Sequence, residues 1–341
     1  MKKIYTIILM FLLVAVNLVY ASGGNRNGTG GAAQLLIPTG PKGISLGGSN
    51  VSFTKGIDAL YWNPAGLSRT KYGIEATFSQ MSYIADIGVS YGAVSTNVEG
   101  VGMFALSIKA LAIGEIDVTT TEHPDGTGQT YSPQMLTAGL SFARNLSDRI
   151  SVGLTANLIT EKLGLVSATG FAFNIGVMYT GLGGIDGLSF GLVMKNIGPQ
   201  MQYEGSGLNI QATSTSLSRP GQYYKIEAAS FELPSSLEFG VAYNARIDDM
   251  NSLMFSTTFQ NNNFAGDNYK LGAEYTFSDA ISVRGGYTMA PDYEKDDFIY
   301  GLTAGIGGKY DLGDVQIKVD YAYRDVKYFD GNHVFGISFG F

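Results

Sequence analysis

The sequence predicts an all-β fold: a transmembrane antiparallel β-barrel of 14 strands with an N-terminal plug, or hatch, inside the lumen. Three observations lead there. Residues after Lys71 alternate apolar and polar with a period of two, which sends one set of side chains to each face of a sheet. The links between alternating segments switch between short and long. The 341-residue chain also begins on an export-type apolar segment and ends on an aromatic residue, Phe341.

Composition excludes several classes. Glycine, at 46 residues, is near twice the average usage of about 7%, which disfavours helix-rich folds. Charged residues make up 15%, below the roughly 25% of soluble chains, so part of the surface avoids water. With 22 basic and 29 acidic residues the formal charge is −7, and no Lys/Arg run offers the basic stripe that nucleic acid demands. The absence of Cys removes disulfide frameworks, thiolate zinc sites and Cys nucleophiles together.

Residues 1–21 read as a signal peptide. Lys2 and Lys3 precede an apolar run from Ile4 to Tyr20, and Val19-Tyr20-Ala21 supplies the small-residue pattern. Thr6 and Asn17 interrupt the run, which is short for the ~20 apolar residues of a spanning helix. Cleavage after Ala21 leaves 320 residues with a charge of −9, since both lysines depart. No later stretch is apolar enough to span as a helix, so strands must place this chain in a membrane.

Residues 22–69 are irregular and Gly-rich, with Pro38, Pro41 and Pro64 interrupting regular structure, and read as the plug. Residues 70–341 read as the barrel. Turn signals divide them into strands near 71–82, 86–97, 101–113, 132–145, 149–161, 169–181, 187–197, 234–246, 251–261, 268–278, 280–290, 298–311, 313–326 and 332–341. The alternation is plainest where Val315, Ile317, Val319, Tyr321 and Tyr323 oppose Gln316, Lys318, Asp320 and Arg324. Leu237, Phe239, Val241 and Tyr243 against Glu238, Gly240 and Asn244 repeat it. So do Ile281, Val283 and Tyr287 against Ser282, Arg284 and Thr288, and the row Phe171, Phe173, Ile175, Val177 and Tyr179. With no helix between strands, the connections are hairpins.

Short links such as Leu146-Ser147-Asp148 and the turn at Gly313 alternate with longer ones at Gly114 to Tyr131, Leu163 to Ala168, Gly198 to Leu233 and Pro291 to Asp297. One rim of turns and one of loops is the asymmetry of outer-membrane barrels. Phe335, Ile337, Phe339 and Phe341 share a face, and a terminal Phe after such a strand resembles the assembly signal of those barrels. A two-layer soluble sandwich is the alternative. Fourteen strands, however, enclose more lumen than inward apolar side chains fill, since eight already make a just-filled interior.

The segment Asp58-Ala59-Leu60-Tyr61-Trp62-Asn63-Pro64-Ala65-Gly66-Leu67 resembles the "alYWNPAGL" signature of the PorV/PorQ family, within the wider FadL-like (long-chain fatty acid transporter) group of barrels. Ala32-Ala33-Gln34-Leu35-Leu36 and Gly43-Ile44-Ser45-Leu46-Gly47-Gly48 are similar to the lead-in of those proteins. The resemblance implies a fourteen-stranded barrel with its N-terminal arm folded inside, and Asp58, Tyr61, Trp62, Asn63, Pro64, Ala65 and Gly66 as the plug motif. Read physically, Thr54 caps a short helical turn through Trp62, Asn63 before Pro64 leaves the helical region, and Gly66 frees the backbone to turn towards the first strand. Tyr61 and Trp62 pack the plug against the wall in preference to contacting ligand.

Other motifs carry less. Gly43-Ile44-Ser45-Leu46-Gly47 matches G-x-S-x-G, but it lies in the Gly-rich arm, and only His123, in a loop, and His333, in the last strand, could serve it. No catalysis, cofactor or metal is expected. Asp292, Glu294, Asp296 and Asp297 read as a solvated outer loop, without the full calcium-loop pattern. Tyr72, Tyr83, Tyr321, Tyr323 and Tyr328 read as interfacial girdle residues. Lumen-facing Lys318, Asp320, Arg324, Glu274 and Arg284 either pair within the wall or bind the plug.

FadL-like members imply capture of hydrophobic, fatty-acid-like molecules outside and their lateral release through the wall. PorV-like members imply accessory proteins of type IX secretion that hold exported proteins, with 114–131 and 198–233 as contact segments. The partners then expected are outer-membrane lipid, the barrel assembly machinery, and either a hydrophobic ligand or secretion-system proteins. The source is expected to be the outer membrane of a Gram-negative-type bacterium.

Overall fold

The computed structural model describes residue 26 and residues 28–212, 221–293 and 297–341. The expected signal peptide, together with Glu294 and Asp296, lies outside the described residues. Fourteen strands form the wall: β1 (Ile74–Ser82), β2 (Gly88–Val98), β3 (Gly102–Ala112), β4 (Gln134–Asn145), β5 (Ile150–Leu163), β6 (Val166–Thr180), β7 (Leu188–Ile197), β8 (Ser236–Arg246), β9 (Asn251–Asn262), β10 (Asn268–Phe277), β11 (Ile281–Met289), β12 (Tyr300–Leu312), β13 (Val315–Val326) and β14 (Asn332–Gly340). Each pairs antiparallel with its neighbours in sequence, and β14 pairs with β1 from Gly340↔Glu75 to His333↔Ser82. The wall is therefore a closed cylinder. In hydrocarbon a sheet edge would leave backbone groups unpaired at several kcal/mol each, and closure removes that cost.

The apolar rows read from alternation face outward. Phe171, Phe173 and Ile175 are exposed on β6, whereas Ala172 and Asn174 are buried inside. Val319 on β13, Phe78 on β1 and Phe335 on β14 extend the same outer surface, opposite buried Gln316, Glu75 and Ser338. A continuous apolar band of this kind suits lipid and not water.

The rims differ as the sequence implies. Both ends of the wall, at Ile74 and Gly340, lie with the tight turns such as 99–101 and 313–314, and the opposite rim carries the loops. One expected loop is corrected: Leu163 to Ala168 is a two-residue turn, because Leu163 pairs with Val166 and Gly164, at φ 58°, supplies the left-handed turn position. The two longest connections fold back as hairpins, Ile116–Asp117 on Thr130–Tyr131 and Asn209–Ala212 on Gln222–Lys225.

The hatch fills the lumen. It consists of short turns at Ala33–Leu36, Pro41–Ser45, Gly56–Ala59 and Pro64–Arg69, and its Leu46, Val51, Ala65 and Leu67 are fully buried. Inward-facing glycines make room for it. A Cβ on Gly153 would overlap the Pro64 carbonyl, one on Gly191 the Val51 carbonyl and one on Gly286 the Leu46–Gly47 peptide. Much of the glycine excess thus lets wall and hatch backbones touch.

Candidate functional site

The hatch motif is a pair of consecutive turns joined at Asn63. Trp62 and Asn63 N–H both donate to the Ala59 carbonyl, at 3.0 and 2.8 Å. Asn63 then turns extended (φ −154°, ψ 106°), as a residue before proline must, and Pro64 opens the next turn. Asn63 Oδ1 accepts from Ala65 N–H at 3.1 Å, while Nδ2 donates to the carbonyls of Val51 (2.8 Å) and Val177 (3.1 Å). One buried amide thereby caps a turn, ties the hatch to itself and fastens it to β6. Downstream, Arg69 donates to the Asp148 carbonyl and Ser151 Oγ, and Ser68 and Asn145 exchange two hydrogen bonds.

Two local expectations are corrected. Thr54 Oγ1 does not cap the Gly56–Ala59 turn; it belongs to the preceding turn and donates to the Asn50 carbonyl at 2.8 Å. Ile57 N–H in the Gly56–Ala59 turn donates instead to Glu75 Oε2 at 3.1 Å. Gly66 does not redirect the chain either. It sits inside the Pro64–Arg69 turn, where a Cβ would overlap the Thr54 carbonyl, so glycine permits two hatch turns to cross closely.

Tyr61 and Trp62 stand edge to face, 4.9 Å between ring centroids. They pack the hatch and also line a cavity of about 210 Å³. Leu35, Ile44 and Gly48 are among the other residues on the hatch side of that cavity, and Ala265 and Phe298 border it from loop-rim connections. The Tyr61 hydroxyl reaches the Leu35 and Leu36 carbonyls at 3.3 and 3.2 Å, and burial pushes its pKa up, so it stays a neutral phenol.

The cavity wall is charged. Lys195 Nζ lies 2.9 Å from Glu238 Oε1 and Lys270 Nζ 3.5 Å from Glu238 Oε2, all three side chains buried. Lys195 sits over both the Tyr61 and Trp62 rings, at 4.9 and 5.4 Å. Lys109, from β3, donates to the Gln34 and Ile37 carbonyls at 2.6 and 3.0 Å and holds the front of the hatch. Arg324 stacks on Tyr300 at 4.2 Å, and the Asn332 amide oxygen, oriented by that network, accepts from its Nε and Nη2. The sequence reading passed over Lys109, Lys195 and Lys270. The signal available was a lysine at an inward position between apolar outward neighbours.

Beneath the hatch a second space of about 470 Å³ opens towards the tight-turn rim, bordered by Lys42, Lys55, Asp58, Glu274 and Lys318. Here both proposed roles of the lumen charges are realised. Arg284 pairs within the wall with Glu274 and Asp320, while Lys42 reaches Glu274 and Lys318 reaches Asp58 of the motif, each at 3.9 Å.

Two girdle assignments are also corrected. Tyr83 bonds the Tyr300 hydroxyl at 2.6 Å and faces the lumen mouth, and the Tyr72 ring lies against inward-facing Gly340. Tyr321, on the outer face, bonds His333 Nδ1 at 2.8 Å, beside Tyr323, while Tyr328 is exposed. Ser45 is bonded to the Lys42 carbonyl within the hatch, far in sequence from outward-facing His333 and from exposed His123. Asp292 Oδ2 accepts from Asp267 N–H at 3.0 Å and Asp297 is exposed. No group of three metal-ligating side chains gathers among the described residues. Phe341 N–H donates to the Ile74 carbonyl at 2.9 Å and seals the β14–β1 seam.

No protein-family profile matches the sequence, and no curated protein matches it. Solved structures do. The CymD monoaromatic hydrocarbon channel superposes with a TM-score of 0.57 at 15% identity, covering 90% of this chain and 98% of that one. The Pseudomonas putida toluene transporter TodX gives 0.55 at 13% identity over 87% and 96%, and a Pseudomonas aeruginosa FadL homologue 0.51 at 12% over 89% and 98%. The fourteen-stranded closed barrel with an N-terminal hatch is the fold this chain shares with FadL-like channels.

Proposed function

We propose that the chain is an outer-membrane channel that admits small, largely apolar molecules to the cavity above the hatch. One observation carries the reading: a closed cylinder with an apolar outer face, obstructed by a hatch that leaves an aromatic-floored cavity on its loop side. The fold likeness to a monoaromatic hydrocarbon channel and a toluene transporter supports it. Burial of ligand apolar area, at about 25 cal/mol per Å², supplies the driving force. Residues 1–21 export the chain, residues 22–69 form the gate, and Phe341 marks the last strand for barrel assembly.

The exit lies where the β6–β7 ladder is irregular. Its register shifts between Phe173 and Ile175, Asn196 adopts φ 57°, and Met201 is buried where a Cβ on Gly170 would stand. Cells expressing the protein should take up the apolar dye N-phenyl-1-naphthylamine, which an intact outer membrane excludes, faster than vector controls. Equal rates would overturn the proposal. The PorV-type secretion role remains a second reading, favoured by the Asp58–Leu67 motif and by exposed Ile210, Tyr223 and Tyr224 on the 198–235 connection. Co-purification with a large secretion barrel supports it.

A further inference from the structure

We propose that the cavity above the hatch selects a single-ring aromatic carboxylate, so that the favoured cargo is an anion with one aromatic body and not a neutral hydrocarbon or a long acyl chain. The inference rests on the channel reading and names its substrate class.

Size comes first. A cavity of about 150 Å³ holds one benzene ring, and pockets for drug-sized ligands start near 300 Å³. At about 210 Å³ this cavity, which is open on one side, has room for a ring with one small substituent. Tyr61, Trp62 and Phe298 all line it, and because Lys195 already covers the Tyr61 and Trp62 rings a bound ring meets aromatic edges with an ammonium beside them.

Charge comes second. The described lining holds three cations, Lys195, Lys270 and Arg324, against one carboxylate, Glu238. Glu238 is shared between both lysines, and Arg324 meets no carboxylate within ion-pair distance among the described residues. All four groups are at most 9% exposed. Buried charges are ordinarily paired, so this cluster lacks anionic charge that a ligand carboxylate would supply. The excess is local, because the whole chain carries −7. A positive pocket inside an acidic protein concentrates small anions at one place. Gln260 Nε2 in the remaining lining already donates to Asn262 Oδ1 at 2.8 Å, so Lys195, Lys270 and Arg324 are the groups left to meet a carboxylate.

Trp62 reports the test, because it is the only Trp in the chain and it lines the cavity. The purified full-length barrel in detergent is titrated with benzoate, its neutral isostere benzamide, toluene and hexadecanoate at pH 7, following Trp62 fluorescence. Benzoate should bind saturably and at least tenfold tighter than benzamide, a difference of about 1.4 kcal/mol. Lys270→Gln should weaken benzoate about tenfold, and Glu238→Gln should tighten it, whereas a purely structural role for the cluster weakens binding in both variants. Retained heat-modifiable mobility on gels verifies folding, and Arg324→Gln replaces Lys270→Gln if that variant fails to fold. Equal benzoate and benzamide affinities, or tighter binding of hexadecanoate, overturn the inference. If toluene binds and dye uptake persists without benzoate preference, the anion selectivity falls and the channel stands. If no probe binds and dye uptake is absent, both fall.

Discussion

Asn63 and Gly176 occupy one another's space: Asn63 Oδ1 sits where a Cβ on Gly176 would stand, and Asn63 Nδ2 donates to the neighbouring Val177 carbonyl at 3.1 Å. The hatch motif is therefore a fitting between plug and wall. Asn63→Ala leaves the Ala65 N–H and the Val51 carbonyl without their bonds, at about 1–3 kcal/mol per buried group. Gly176→Val removes the seat from the other side. Both should raise ion conductance in planar bilayers above wild type, and unchanged conductance would show that this contact does not hold the hatch.

The charge network under the hatch should be unequal in its parts. Arg284→Met leaves Glu274 and Asp320 facing one another without their guanidinium and should cost about 3–5 kcal/mol, read as a lowered unfolding midpoint in urea. Lys42→Met breaks a longer, partly exposed pair and should cost under about 1 kcal/mol. A similar loss in both variants contradicts the ranking.

Orientation of the wall is tested at Val319, which is 56% exposed near mid-strand on β13. Val319→Arg should destabilise the barrel in lipid vesicles by about 2–4 kcal/mol, the cost of Arg at the bilayer midplane. A water-soluble barrel with the same surface would tolerate the change.

The loop between β9 and β10 should loosen as pH rises. Burial pushes the Asp267 carboxyl above its ordinary pKa, Asn261 opposes this through a hydrogen bond, and nearby Asp292 adds to the rise. A raised carboxyl holds its proton more tightly folded than unfolded, so its contribution is complete below the ordinary carboxylate range. It is lost as pH climbs through the raised value. Amide exchange at 263–267 should accelerate over that interval beyond the intrinsic base effect, and Asp292→Asn should reduce the change.

The strands were legible because a wall with lipid outside and a polar lumen writes its period directly into the chain: Val319 and Lys318 cannot exchange faces. Gly164-Leu165 does not stand out as a tight turn because polar Thr160, Glu161 and Lys162 read as the approach to a loop although they pair with Thr169, Ala168 and Ser167 inside the strands. Hatch turns of four to six residues are too short for a helical period, which is why Thr54 was assigned to the wrong turn. The motif around Asn63 was visible, but its partner Gly176 was not. The lysines of β7 and β10 meet Glu238 of β8 only through cross-strand neighbourhood and side-chain reach, which one-dimensional alternation does not encode.

The anchoring of Ser68 and Arg69 to the β4–β5 turn has a mechanical outcome. Only Thr70–Gly73 separates that anchor from β1, a tether of at most about 14 Å. The C-terminal edge of the hatch is thus fixed to the wall at short range, and on the channel reading any displacement has to be taken up upstream of Asn63, where Lys109, Thr303 and Thr288 hold the Gln34, Ile37, Ser45 and Gly47 carbonyls.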